Sequence, residues 1–200
     1  MKKILFNDKL GLTQAVLDGR KTMTRRIVAL ESTLAITWDC VTEIDRDIAI
    51  KNYIVGNIKN RYEVGEVVAI AQCYMDIDQF HRNGKNAAYL ELLPGLKLYP
   101  GWGNKMFVRS DLMLHHIRIT DIKVERLKDI SDTDCLREGI VKGQCGSKET
   151  HFMDAYYLPV SYQPYCTPQE AFSVLIDKIS GRGTWESNPY VWVYEFELVD

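Results

Sequence analysis

Between residues 117 and 125 the chain alternates, with Ile117, Ile119, Ile122 and Val124 interleaved with Arg118, Thr120, Lys123 and Glu125. A period of two over so long a run predicts a strand with one apolar face. The phase slips once, at Asp121, which predicts a bend or bulge. A second strong strand is predicted after Asn188-Pro189, from Tyr190-Val191-Trp192-Val193-Tyr194 through Leu198. Shorter strands are expected at Ile4-Leu5-Phe6 and, after the turn Val64-Gly65-Glu66, at Val67-Val68-Ala69-Ile70-Ala71.

Three helices carry their own start or stop signals. Leu10, Leu12, Ala15, Val16 and Leu17 have helical spacing, and Gly19 can close that helix in a left-handed cap. Ser131 before Asp132-Thr133-Asp134 predicts a capped short helix that stops near Gly139. Thr167-Pro168-Gln169-Glu170 has the form of a capping box with proline in the first turn, leading into Phe172, Leu175, Ile176 and Ile179 and ending at Gly181. Residues 31–60 and 76–103 read as insertions, and the tyrosine-rich stretch 141–166 reads as a loop. Strands without regular β-α alternation predict an α+β fold with a small, mostly antiparallel sheet or barrel, in one domain over residues 1–200.

Composition narrows the class. With 46% apolar and 26% charged residues the chain is neither disordered nor membrane-embedded. Asn7, Asp8 and Lys9 interrupt the first apolar run after Phe6, so no export signal is read and a cytoplasmic location is expected. The five cysteines (Cys40, Cys73, Cys135, Cys145, Cys166) form no C-x-x-C pair and are expected as reduced thiols. His115 and His116 should point to opposite sides of a strand, and His81 and His151 are isolated, so no metal site is expected; no cofactor is implied either.

A net charge of −2 argues against coating nucleic acid by bulk attraction. Residues 1–26, however, carry seven Lys and Arg against two Asp. The charge is densest in Gly19-Arg20-Lys21-Thr22-Met23-Thr24-Arg25-Arg26. Arginine forks, a lysine point charge and threonine hydroxyls suit phosphate oxygens, making Arg20, Thr22, Arg25 and Arg26 candidate ligand-binding residues. The glycine spacing of a P-loop is missing, and a solvated charged turn is the competing reading. Tyr156, Tyr157, Tyr162 and Tyr165 have two readings as well, as stacking platforms for bases or as pins for a long loop. Trp102, Trp185 and Trp192 read as packing residues.

The pattern G-x-K-x-x-T-x-R, here Gly19, Lys21, Thr24 and Arg26, resembles the ASCH family, whose fold is similar to the PUA RNA-binding domain. The resemblance extends through Val64-Gly65-Glu66-Val67-Val68, Val124-Glu125-Arg126-Leu127, Glu138-Gly139 and the closing strand with Trp192 and Glu195-Phe196. It implies an incomplete β-barrel with flanking helices, and a cleft near the motif that binds RNA, a nucleotide or a modified nucleoside. The extra segments resemble those of longer phage or mobile-element members.

Some members of that family resemble metal-independent amidohydrolases of N4-acetylcytidine. The resemblance then implies a catalytic set of Lys21, Thr24 and Glu138. Threonine needs a base, and lysine serves as one only when its pKa is lowered. Neighbouring arginines and burial would lower it, while Glu138 would oppose that shift; the competing reading of Glu138 is a solvated helix-end carboxylate. The expectation is therefore a cytoplasmic RNA-, nucleotide- or nucleoside-binding protein with no membrane partner. The alternatives are an N4-acylcytidine hydrolase and an accessory protein-interaction module.

Overall fold

In the computed structural model the described residues are 1–29, 42–84, 100–147 and 151–199. Cys40 and parts of the three expected insertions lie outside them. Five strands form one sheet in the order β1-β3-β4-β7-β2. They are β1 (Lys3–Ile4), β2 (Met23–Ile27), β3 (Val67–Ile70), β4 (His116–Arg126) and β7 (Tyr190–Leu198). β1 runs parallel to β3, and the other neighbours are antiparallel. The α+β class is what the sequence implies. The sheet does not close into a barrel: among the described residues β1 and β2 are its two edges.

β4 is the long alternating strand, and its register against β7 shifts between Ile119 and Asp121, where the apolar phase slips in sequence. An extra residue there bends the strand and returns Ile122 and Val124 to the packed side. The short helices are capped as their sequences require. Ser131 Oγ accepts from Asp134 N at the start of the helix Asp132–Arg137, and Thr167 and Glu170 complete the capping box of Pro168–Ser180. Gly19 and Gly139 take positive φ values of 71° and 109°.

One expectation is corrected. Residues 141–166 are no featureless loop, because β5 (Val141–Ser147) and β6 (His151–Tyr157) pair as an antiparallel ribbon. Its strands are largely exposed and interrupted by Gly143 and Gly146, so no apolar alternation announces it. Tyr156 and Tyr165 bridge through their backbones and Tyr157 donates to the Gln144 carbonyl, whereas Tyr162 is 99% exposed. Residues 31–60, read from sequence only as an insertion, contain a helix, Glu43–Asn57, capped by Thr42. Ile50, Ile54 and Ile58 give it one packed stripe at a spacing of four, while Ile44, Ile48 and Val55 stay exposed.

The main core joins Ile4, Phe6 and Leu12 to Ile117, Ile119, Phe172, Leu175 and the closing strand. A second cluster of Ala69, Ala71, Tyr74, Ile77, Val108 and Met113 covers the other side of β3. Among the described residues no helix is long and apolar enough to cross a membrane.

Candidate functional site

The basic segment divides across β2 by strand parity. Arg25 pairs with Val193 and Arg26 with Trp192, so their side chains leave opposite faces of the sheet. On the Arg25 face lie Glu125 of β4 and the helix Asp132–Arg137. Arg25, with a side chain 0% exposed, donates from Nε and Nη2 to Glu125 Oε1 at 3.0 and 2.6 Å, from Nη2 to Asp134 Oδ2 at 3.2 Å and from Nη1 to Glu138 Oε1 at 3.1 Å. Burial works against its charge, but Glu138 and Glu125 outweigh it and hold the pKa above the ordinary arginine value. Arg25 is thus a structural hub between the sheet and that helix.

Lys21 reaches the same carboxylate from the other side. Backbone bonds from Lys21 N to Ala15 O and from Thr22 N to Arg137 O clamp the segment between two helix ends. Gly139, in a left-handed backbone conformation, packs against the Lys21 stem: an added Cβ would lie 3.7 Å from Lys21 Cδ and 3.4 Å from Leu12 Cδ2. Lys21 Nζ donates to Glu138 Oε2 at 2.5 Å, to Glu138 O at 2.8 Å and to Met23 O at 2.8 Å. Its burial pushes the pKa below the ordinary lysine value; Glu138 opposes the shift, and Arg26 and Arg25 add to it.

That shift sets an alkaline signature. A lysine with a lowered folded pKa releases its proton in the native state before it does so in the unfolded chain. Stability then rises with pH from the folded pKa up to the unfolded value near 10.5. Below that window the protein carries the cost of burying the charge. Urea unfolding between pH 8 and 10.5 should therefore show wild type gaining stability relative to Lys21→Met, and a flat or opposite difference would contradict the shift.

Thr24 pairs with Tyr194 and shares the Arg26 face. It is 5% exposed, and its hydroxyl is bonded to neither Lys21 nor Glu138. Of the three residues expected to work together, Lys21 and Glu138 meet directly. Thr22 accepts a hydrogen bond from Arg137 Nε at 3.2 Å, and Arg20 is exposed and paired with Asp18 at 2.9 Å.

Arg26 has different company. It lies half-buried in the wall of a cavity of about 320 Å³, lined also by Leu5, Lys59, Arg61, Tyr62, Trp192 and Tyr194. Among the described residues no Asp or Glu lines this cavity, and neither do Lys21, Thr24 or Glu138. Arg26 Nη2 donates to Leu5 O at 2.7 Å, and among the described residues the guanidinium makes no ion pair. Burial pushes its pKa below the ordinary arginine value; Tyr62 and Glu138 oppose this and the charge of Arg61 adds to it. Tyr62 and Tyr194 stand edge to face, their ring centroids 5.2 Å apart. Their hydroxyls are engaged with backbone, Tyr62 donating to Lys3 O at 3.0 Å and Tyr194 accepting from Arg61 N at 3.2 Å.

Sequence reasoning missed Glu125, Asp134 and Arg137 as partners of the basic segment, and Lys59, Arg61 and Tyr62 as cavity residues. β7 pairs with both β2 and β4 and so brings Glu125 close, while Asp134 and Arg137 come from the helix Asp132–Arg137; Lys59 lies at the end of the stretch 31–60 read as an insertion, and Arg61 and Tyr62 lie just beyond it. Among the described residues no group of three or more His, Cys, Asp or Glu could hold a metal ion.

No family model matches the chain, and no curated protein matches it. One solved structure does, protein EF3133 from Enterococcus faecalis V583, described under the family model DUF984. It has 13% identity and a TM-score of 0.42, over 100% of this chain and 81% of that one. A likeness that weak assigns neither fold nor function. The ASCH resemblance is corrected by these comparisons, since no family model, that of ASCH included, matches the chain. Physically, the pattern fixes four residues, and structural duties account for part of it here: Lys21 ties β2 to the Glu138 helix end and Gly19 caps a helix.

Proposed function

We propose that the protein binds RNA, a nucleotide or a modified nucleoside in the cavity beside Arg26. The observation that carries this reading is the contrast between adjacent arginines. Arg25 has three carboxylates, whereas Arg26, half-buried in an aromatic wall with Lys59 and Arg61 nearby, has none among the described residues. A desolvated guanidinium without a counter-ion favours an anionic ligand, and the two further cations in the lining, Lys59 and Arg61, suit the phosphate of a nucleotide or RNA. A cytoplasmic setting fits the free thiols of Cys73, Cys135, Cys145 and Cys166.

Arg26→Ala is expected to weaken binding of a short single-stranded RNA or a mononucleotide by about tenfold and to reduce the salt slope by about one. Arg20→Ala, at an exposed paired residue, should change neither. Titration calorimetry at two salt concentrations measures both, and equal losses in the two variants would mean diffuse attraction instead.

A second reading, metal-independent hydrolysis of the N4-acyl amide of a cytidine-like nucleoside, draws on the short Lys21–Glu138 contact and the lowered lysine pKa. It ranks behind binding because three oxygen acceptors surround the Lys21 ammonium and leave no lone pair free for the Thr24 hydroxyl. Turnover of N4-acetylcytidine in the presence of a chelator, lost in Thr24→Ala, would reverse that order.

A further inference from the structure

We infer that the group recognised at the Arg26 cavity is a nucleotide phosphomonoester, free or at the end of a strand, and not the internal diester of an RNA chain. The inference rests on the nucleotide-binding reading above and deepens it.

Size is the first argument. A cavity of about 320 Å³ is at the lower end of the range for small-molecule sites and suits one nucleotide unit better than a strand. Charge is the second. Arg26, Arg61 and Lys59 all line this space, and among the described residues its lining holds no acidic residue and none of the three makes an ion pair. An internal diester brings a single negative charge. A phosphomonoester above its second proton dissociation, near pH 6, brings close to two and matches several cations better.

Donor geometry is the third argument. Arg26 has one hydrogen bond, from Nη2 to Leu5 O, so the second Nη2 hydrogen remains available and can act with Nε or with Nη1 as a fork for two phosphate oxygens. The aromatic side adds little base selection. Tyr62 and Tyr194 are 3% and 1% exposed, with their hydroxyl oxygens at Lys3 O and Arg61 N, so neither ring has a free face on which a base could stack.

The test uses the intact chain and five probes: cytidine, cytidine 5′-monophosphate, adenosine 5′-monophosphate, and one short RNA with either a 5′-hydroxyl or a 5′-phosphate. Both mononucleotides should bind about tenfold or more tightly than cytidine, and within a few-fold of each other. That gain should shrink as pH falls through about 6, where the dianion takes up a proton. Arg26→Ala should erase it, and Arg61→Ala, at an exposed position that leaves the fold intact, should reduce it.

If the 5′-phosphorylated RNA binds as well as the mononucleotides and the 5′-hydroxyl RNA does not, the natural source is a strand end. If both RNAs bind worse than the mononucleotides, it is a free nucleotide. Equal binding of the two RNAs at mononucleotide strength, or of cytidine and its monophosphate, would overturn the phosphomonoester inference and leave the nucleotide-binding reading standing. No binding by any probe would sink both.

Discussion

Glu138→Leu is expected to cost about 3 to 5 kcal/mol of folding stability, because it strands a buried ammonium. Lys21 is 2% exposed and Glu138 is 4% exposed, so water cannot replace the lost carboxylate. Arg25 loses one of three acidic partners but keeps Glu125 and Asp134, so the damage falls mainly on Lys21. The ammonium retains only the carbonyls of Met23 and residue 138. The double variant Lys21→Met with Glu138→Leu removes both charges and should recover most of the loss, since apolar replacement of a whole buried pair is often neutral. Urea unfolding at pH 7 measures all three proteins. Equal destabilisation in the single and double variants would show that packing, and not the stranded charge, dominates.

Removing the hub has a comparable cost. Arg25→Met leaves Glu125, Asp134 and Glu138 gathered at a site that no longer holds a guanidinium. Lys123 lies 3.3 Å from Glu125 and Arg137 3.6 Å from Asp134, so some compensation remains. A loss of about 3 kcal/mol or more is expected at pH 7. Added salt should restore little, since ions screen buried groups poorly. A loss below about 1 kcal/mol in urea unfolding would mean that Lys123 and Arg137 alone compensate the three carboxylates.

These two variants also separate the roles of the basic segment. Glu138 and Arg25 belong to the structural network that holds β2 against the helix Asp132–Arg137, whereas Arg26 faces the cavity. Substitutions in the network are expected to reach ligand binding only through stability. Arg26→Ala should do the reverse.

Local chemistry was legible in the residues themselves. The bulge at Asp121 follows from a slip in a period of two, the caps at Ser131 and Thr167 from hydroxyls three residues ahead of unsatisfied amides, and the turns at Gly19 and Gly139 from the one residue without a Cβ. Each depends on neighbours a few positions away. The β5–β6 ribbon was not legible, since its strands are mostly exposed and bury no stripe for a pattern to record.

The division of labour in Arg20-Lys21-Thr22-Met23-Thr24-Arg25-Arg26 belonged to tertiary structure alone. Parity along a strand separates Arg25 from Arg26. Which of them meets carboxylates depends on residues a hundred positions away in β4 and the Asp132–Arg137 helix. The balance at Lys21 is of the same kind. Sequence supplied the opposing influences of burial and Glu138, and the depth to which the fold sinks that ammonium decides that burial prevails. Charge type is a property of the residue; desolvation and pairing are properties of the place the fold gives it.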